Sequence, residues 1–181
     1  GAKVMNLLTK GSLNHLTHQL KKTPEQHFAD IKVLVEKAVA LGMSVNVYLE
    51  DWSNGMRHSK DYVFQHVENL ITLPIKRILL PDTLGILTPN ESYLFVKELV
   101  DKYPNQHFDF HAHNDYDLSV ANVMEGLRAG AHGLHLTVNG LGERAGNAPL
   151  ASTVAVLRDF MPDISINVDD KSLYKISGLV E

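Results

Sequence analysis

The sequence contains no cysteine. That removes disulfides, zinc–thiolate centres and thiol nucleophiles together, and it agrees with a reducing cytoplasm as the expected location. It also lacks any apolar run of the roughly 20 residues that cross a bilayer. The opening Gly1-Ala2-Lys3-Val4-Met5-Asn6 has no secretory pattern, so no membrane partner is expected. Nor is there an excess of one charge: 17 Lys and Arg stand against 21 Asp and Glu, a net charge of -4, and no nucleic-acid partner is expected without a basic field. What remains is 181 residues, 44% hydrophobic and 21% charged, enough for one good core. A small-molecule site fits this composition best.

Short apolar stretches alternate with amphipathic ones. Strands are predicted over Lys3 to Leu8, Ser44 to Glu50, Arg77 to Pro81, His107 to His111 and Gly133 to Val138. Helices are predicted over Pro24 to Leu41, Lys60 to Leu73, Pro89 to Tyr103, Leu118 to Ala129 and Pro149 to Phe160, with Trp52 to Ser59 as a surface loop. Thr23-Pro24-Glu25-Gln26 and Thr88-Pro89-Asn90-Glu91 each carry a capping hydroxyl, a proline in the first turn and Gln or Glu three residues after the Thr. Regular strand–helix alternation implies right-handed crossovers and a parallel sheet, so the fold class is α/β.

The strand faces choose the architecture. Every second residue gives an apolar face (Val45, Val47, Leu49; Phe108, Phe110, Ala112; Leu134, Leu136, Val138) that should lie under helices. The opposite face is polar: Asn46, Tyr48 and Glu50; His107, Asp109, His111 and His113; His135, Thr137 and Asn139. Polar groups on a buried face cost on the order of 1 to 3 kcal/mol each when unsatisfied. A TIM (β/α)₈ barrel, whose interior opens into a site at the carboxyl ends of its strands, accounts for them. Five strands fall short of the eight that such a barrel needs. The expectation is therefore a partial barrel of about five strand–helix units over residues 1–165, lacking about three units at its front. Residues 166–181 are expected to begin a linker or helix.

His111-Ala112-His113 ends the fourth predicted strand on its polar face. Period-two geometry puts both imidazoles on one side, suited to one divalent cation; an isolated His-x-His is otherwise more often a surface or hydrogen-bonded pair. The segment Gly140 to Pro149 (GLGERAGNAP) follows the last strand and runs into a helix amino terminus, where oxygen or anion ligands bind readily; alone it is as good a turn as a binding loop. Glu50 ends the second strand and could serve as base, metal ligand or ion-pair partner. Asp82 and Thr83, ending the third, could equally be turn formers. His15, His18, His27, His58, His66 and His132 are expected to be surface or packing residues.

The runs His111 to Asn122 (HAHNDYDLSVAN) and Asn139 to Leu150 (NGLGERAGNAPL), with Leu80 to Gly85 (LPDTLG), resemble the signatures of the 2-isopropylmalate, homocitrate and citramalate synthase family. The resemblance covers about Gly1 to Phe160. It implies a metal-dependent Claisen condensation of acetyl-CoA with a 2-keto acid, on a divalent Mg, Mn or Zn ion, by an enzyme expected to be a homodimer. His111 and His113 match the family's metal ligands, and Asn147 matches an asparagine at or near the metal. Glu50 matches a glutamate that acts as, or beside, the catalytic base, and Thr83 a threonine that contacts the keto-acid carboxylate. The run YLEDWSNGMR around Glu50 looks most like the citramalate branch, in which Leu8 and Tyr48 would close a pocket around pyruvate. 2-Isopropylmalate or homocitrate synthesis are the nearest alternatives.

The family's Arg-Asp pair from the first barrel strand, which supplies a metal ligand and an oxyanion-stabilising cation, has no counterpart in these 181 residues. The isolated chain is therefore expected to be inactive. Two further readings stay open: a retro-aldol lyase resembling HMG-CoA lyase, against which the absence of a loop cysteine counts, and a non-catalytic fragment whose open sheet edges would dimerise, bind a missing half or aggregate.

Overall fold

The computed structural model describes residues 1–180. Five parallel strands, β1 (Val4–Lys10), β2 (Ser44–Glu50), β3 (Arg77–Asp82), β4 (Phe108–Ala112) and β5 (Gly133–His135), form one sheet in the order β1-β2-β3-β4-β5. Strand order equal to chain order, every neighbour parallel, is the barrel topology. Between the strands lie α1 (Leu13–His15, continued by a π-helical turn over Leu16–Leu20), α2 (Pro24–Ala40), α3 (Trp52–His58), α4 (Lys60–Leu70), α5 (Pro89–Lys102) and α6 (Ser119–Arg128); α7 (Leu150–Phe160) and α8 (Asp170–Val180) follow β5. None of these helices is long and apolar enough to cross a membrane.

Both predicted capping boxes form. Thr23 and Thr88 accept from the backbone N–H of Gln26 and Glu91, whose side chains accept from the capping residues in return. The helices cover one face of the sheet, where Val45, Val47, Leu49, Ile78, Leu80, Phe108, Phe110 and Ala112 are fully buried. The apolar side chains expected on β5 are only half-buried, because β5 is the edge of the sheet and has one neighbour. β5 is also shorter than predicted. Beyond His135 the backbone N–H of Thr137 turns away to the carbonyl of Ala148, so the strand's continuation pairs with the returning loop instead of with β4.

The segment expected to be a surface loop is a helix with a buried side. Trp52, Ser53, Gly55 and Met56 of α3 are buried, and the Trp52 indole meets Phe95 and Phe110 edge-on at 6.3 and 6.1 Å. Its polar letters (Ser53, Asn54, Arg57, His58) conceal an apolar side of Trp52 and Met56 that is too short to show a period. His27 and His66 are packing residues, as expected: with Phe28 and Tyr62 they form an aromatic cluster between α2 and α4. Burial, reinforced by the nearby Lys22 charge, pulls the His27 pKa down to about 4. Burial takes His66, neither of whose ring nitrogens has a partner, to about 3.

Gly55→Ala should be destabilising by about 1 to 3 kcal/mol in a denaturant titration, although alanine favours a helix by up to about 1 kcal/mol. A Cβ there would lie 2.1 Å from the Gly11 carbonyl oxygen and 2.8 Å from Val63 Cγ2. Acid should destabilise the fold through the His27 and His66 rings. Both imidazoles titrate lower in the folded protein than their ordinary 6.5, so the unfolded chain takes up their protons first. Their contribution to stability is complete above about pH 6.5 and is lost as pH falls toward 4 and below, at no more than about 1.4 kcal/mol per pH unit for each ring. His66→Phe should flatten that acid limb, as read from unfolding midpoints between pH 7 and 4.

Candidate functional site

The face of the sheet away from the helices carries the polar residues, and strand register stacks them in layers. On β1 and β2, Asn6 pairs with Asn46, Leu8 with Tyr48, and Lys10 with Glu50. On β3 and β4, Leu79 pairs with Asp109 and Pro81 with His111; on β4 and β5, His111 pairs with His135. Leu8, Tyr48 and Glu50 therefore share one face, with Glu50 in the layer nearest the carboxyl ends. Leu8 is 61% exposed.

Glu50 is held by residues that the sequence did not single out. Lys10 Nζ donates to Glu50 Oε2 and, at 2.8 Å, to Gln19 Oε1. The Lys10 backbone is itself fixed: its N–H donates to His27 Nε2 at 3.2 Å and its carbonyl accepts from the Tyr62 hydroxyl at 2.8 Å. His15, expected to be a surface or packing residue, instead turns its ring toward the strand ends, with Nδ1 3.9 Å from Glu50 Oε1 and Nε2 3.5 Å from Asp51 Oδ2. Its position follows from the short helix after β1, which returns the chain over the end of β2. Asp51, left-handed at φ 64°, is buried and takes hydrogen bonds from Ser12 and Asn54.

At the end of β3 the two candidates divide. The buried Asp82 carboxylate accepts from the backbone N–H groups of Ile86 and Leu87 and so shapes the turn into α5; burial raises its pKa, opposed by these bonds. Thr83 Oγ1 accepts from the Asp51 N–H at 2.8 Å, which ties the ends of β2 and β3 together and leaves the hydroxyl proton free to be donated.

The glycine loop zips onto the end of β4. Asn114 N–H donates to the Gly146 carbonyl at 2.9 Å, Ala148 N–H to the Ala112 carbonyl at 3.0 Å, and His113 and Asn147 form an antiparallel bridge. Gly146 is required here: at φ 88° a Cβ would sit 2.1 Å from the Gly140 carbonyl oxygen. The Arg144 guanidinium closes the arrangement, donating to both Asp115 oxygens at 2.7 and 2.8 Å and to the Thr83 carbonyl at 2.8 Å. Arg144 lowers the Asp115 pKa, and a bidentate pair of this kind fixes geometry as well as charge.

His111, His113 and Asn147 are thus brought to one place. The His111 Nδ1–H donates to the His135 carbonyl at 3.2 Å, which leaves Nε2 with its lone pair, the usual arrangement for a metal-ligating imidazole. The two rings lie 5.0 Å apart at 87°. His113 Nδ1 and Asn147 Oδ1 are buried without a partner, while Asn147 Nδ2 donates to the Leu141 carbonyl. Burial lowers the pKa of both histidines, that of His111 to about 4, so both rings are neutral near pH 7. The donor set fits a divalent cation in type and in its unsatisfied atoms. It is a partial shell: among the described residues no group of three His, Cys, Asp or Glu gathers to hold an ion.

Residues 1–180 match the HMGL-like family. A probable 2-isopropylmalate synthase of Ignicoccus hospitalis is 37% identical over 92% of the chain and 41% of its own length. A putative (R)-citramalate synthase of Methanothermobacter thermautotrophicus is 37% identical over 97% of the chain and 34% of its own length. The chain thus spans less than half of either relative. Among solved structures, an HMG-CoA lyase of Bacillus subtilis superposes with a TM-score of 0.84 at 21% identity, covering 99% of this chain and 62% of that one; it shares the barrel fold. A parallel sheet with strands in chain order, a histidine pair at the end of β4 and a glycine loop folded against it, matched end to end, make this chain a member of the HMGL-like family.

Proposed function

We propose that this chain carries part of the active site of a metal-dependent synthase that condenses acetyl-CoA with a 2-keto acid, with pyruvate as the keto acid and citramalate as the product. The observation that carries the proposal is the pair of buried, unpartnered atoms His113 Nδ1 and Asn147 Oδ1 beside His111, at the same end of the sheet as the Glu50 carboxylate. A divalent ion bound there would polarise the keto group of the acceptor.

The chain's own residues supply the remainder. Thr83, its hydroxyl proton free, donates to the keto-acid carboxylate. Leu8 and Tyr48, adjacent in register, wall the methyl side of a small acceptor; a larger acceptor, such as that implied by the name 2-isopropylmalate synthase, needs more room. Glu50, held in place by Lys10, takes a proton from the acetyl methyl of acetyl-CoA, and the resulting carbanion attacks the keto carbon. Water then cleaves the thioester, releasing CoA and the free acid. The complete enzyme is a homodimer, with the rest of the coordination shell contributed outside the described residues.

The test is CoA release from acetyl-CoA with pyruvate, 2-ketoisovalerate or 2-ketoglutarate in turn, measured on the full polypeptide that contains residues 1–181. Release with pyruvate is expected, and preference for 2-ketoisovalerate or 2-ketoglutarate would move the assignment to the corresponding sister reaction. No release with any of the three at any divalent metal would sink the proposal. Glu50→Gln should lower kcat about 10² to 10⁴-fold with little change in the KM for the keto acid. Chelation should abolish activity and added Mn or Mg restore it, whereas His113→Ala should raise the metal concentration needed for half-maximal activity by about tenfold or more.

A further inference from the structure

The inner face of the sheet holds a second hydrogen-bonded group, centred one layer below Glu50 and His111 and reaching up to His135, which is level with His111. At its centre is Asp109, 1% exposed. Its carboxylate accepts from His107 Nε2 at 2.7 Å, Arg77 Nη1 at 3.1 Å and His135 Nε2 at 3.2 Å. Three nitrogens turned toward one buried carboxylate leave it the acceptor of every bond. His135 in turn reaches Tyr48 from the far side of the sheet, with the phenol oxygen 3.1 Å from Nδ1 and ring centroids 5.8 Å apart at 70°. In a flat sheet, β2 and β5 would stand roughly 14 Å apart, three strand spacings. The curvature of the sheet brings the two rings together above Leu79, which sits between Tyr48 and Asp109 in the register and is itself 1% exposed.

The chemistry of the relay sets its direction. An ionised carboxylate only accepts, so the His135 nitrogen facing Asp109 carries a proton. A neutral imidazole with Nε2–H has a lone pair on Nδ1, and the Tyr48 hydroxyl must donate to it. The phenol proton is therefore committed inward, and no hydrogen-bond donor is left for a substrate oxygen. Tyr48 keeps only lone pairs to offer a ligand, and its swing is restrained by a partner anchored on a buried anion.

We infer that His135 is a positioning residue that locks the Tyr48 phenol as a fixed wall, and that this lock sets the size of 2-keto acid accepted. The inference rests on the function proposed above and extends it to specificity. Releasing the lock frees the ring to rotate away and returns a hydroxyl donor to the pocket; both changes admit a longer acceptor.

The decisive comparison is kcat/KM for pyruvate against that for 2-ketobutyrate, one methylene longer, in the full polypeptide. His135→Leu, which removes both ring nitrogens, should lower the preference for pyruvate about tenfold, the scale on which one methylene is discriminated. His135→Gln, which keeps an acceptor for Tyr48 and a donor for Asp109, should retain the preference within about threefold. In a Tyr48→Phe background, His135→Leu should have no further effect on the ratio, the signature of two residues acting as one. An unchanged ratio in His135→Leu overturns the inference. Imidazole ¹⁵N NMR of the unsubstituted protein gives a readout that needs no turnover: a protonated Nε2 and an unprotonated Nδ1 on His135 support the relay, and the opposite tautomer overturns it. Absence of condensation activity in the unsubstituted protein would contradict the proposed function instead, and the ¹⁵N spectrum would still decide the relay.

Discussion

Successive side chains of a strand point to opposite faces, and parallel neighbours keep their pleats in step. In this molecule that constraint sorts the chain. It sends Val45, Val47 and Leu49 under the helices and leaves Asn46, Tyr48 and Glu50 on the inner face, and it stacks the inner residues of five strands in common layers. A slip of one residue in β4 would exchange Phe108 and Phe110 for His107, Asp109 and His111, burying the polar set beneath α6 and exposing two aromatic rings. The core and the site are two readouts of one register and cannot drift independently.

Polarity on the inner face is organised by depth. Lower down, Asp109 is sealed from solvent and paired with three donors, Arg77 on β3, His107 just before β4 and His135 on β5. At the rim, His113 Nδ1 and Asn147 Oδ1 are buried and unpaired. A buried polar atom without a partner costs about 1 to 3 kcal/mol, which the surrounding backbone ties between β4 and the glycine loop sustain. Satisfied groups give the lower layer its stiffness, and unsatisfied ones leave the rim with lone pairs that no protein group takes up.

What could be read from the sequence follows the same division. The alternation of β2 and β4 is long enough to declare both faces, and the capping boxes at Thr23 and Thr88 declare their helices, so fold class, parity and the histidine pair were all legible. Glu50 and Thr83 stand out as candidates by their places at strand ends, whereas the roles expected of them, and Asn147 altogether, rest on resemblance to long motifs, because no local pattern assigns work to a single Glu, Thr or Asn. Lys10 and His15 escape a sequence reading: they reach Glu50 through a register contact between residues 40 apart and through a one-turn helix over Leu13–His15 too short to show a period. Arg144 lay inside a recognised loop, but its bonds to Asp115 and to the Thr83 carbonyl join three strand ends that are adjacent only once the sheet has formed. The helix over Trp52–His58 was missed because seven residues are too few for an apolar period to rise above their polar letters.

That same short helix gives the protein a natural optical probe. Trp52 is the sole tryptophan in the sequence, fully buried and wedged between two phenylalanine rings, two residues along the chain from Glu50. All indole emission therefore originates at one point, where the core meets the rim, and its colour reports whether that junction is dry. Loosening of the helix layer and disturbance of the strand ends would reach a spectrofluorimeter through the same side chain, without any label being added.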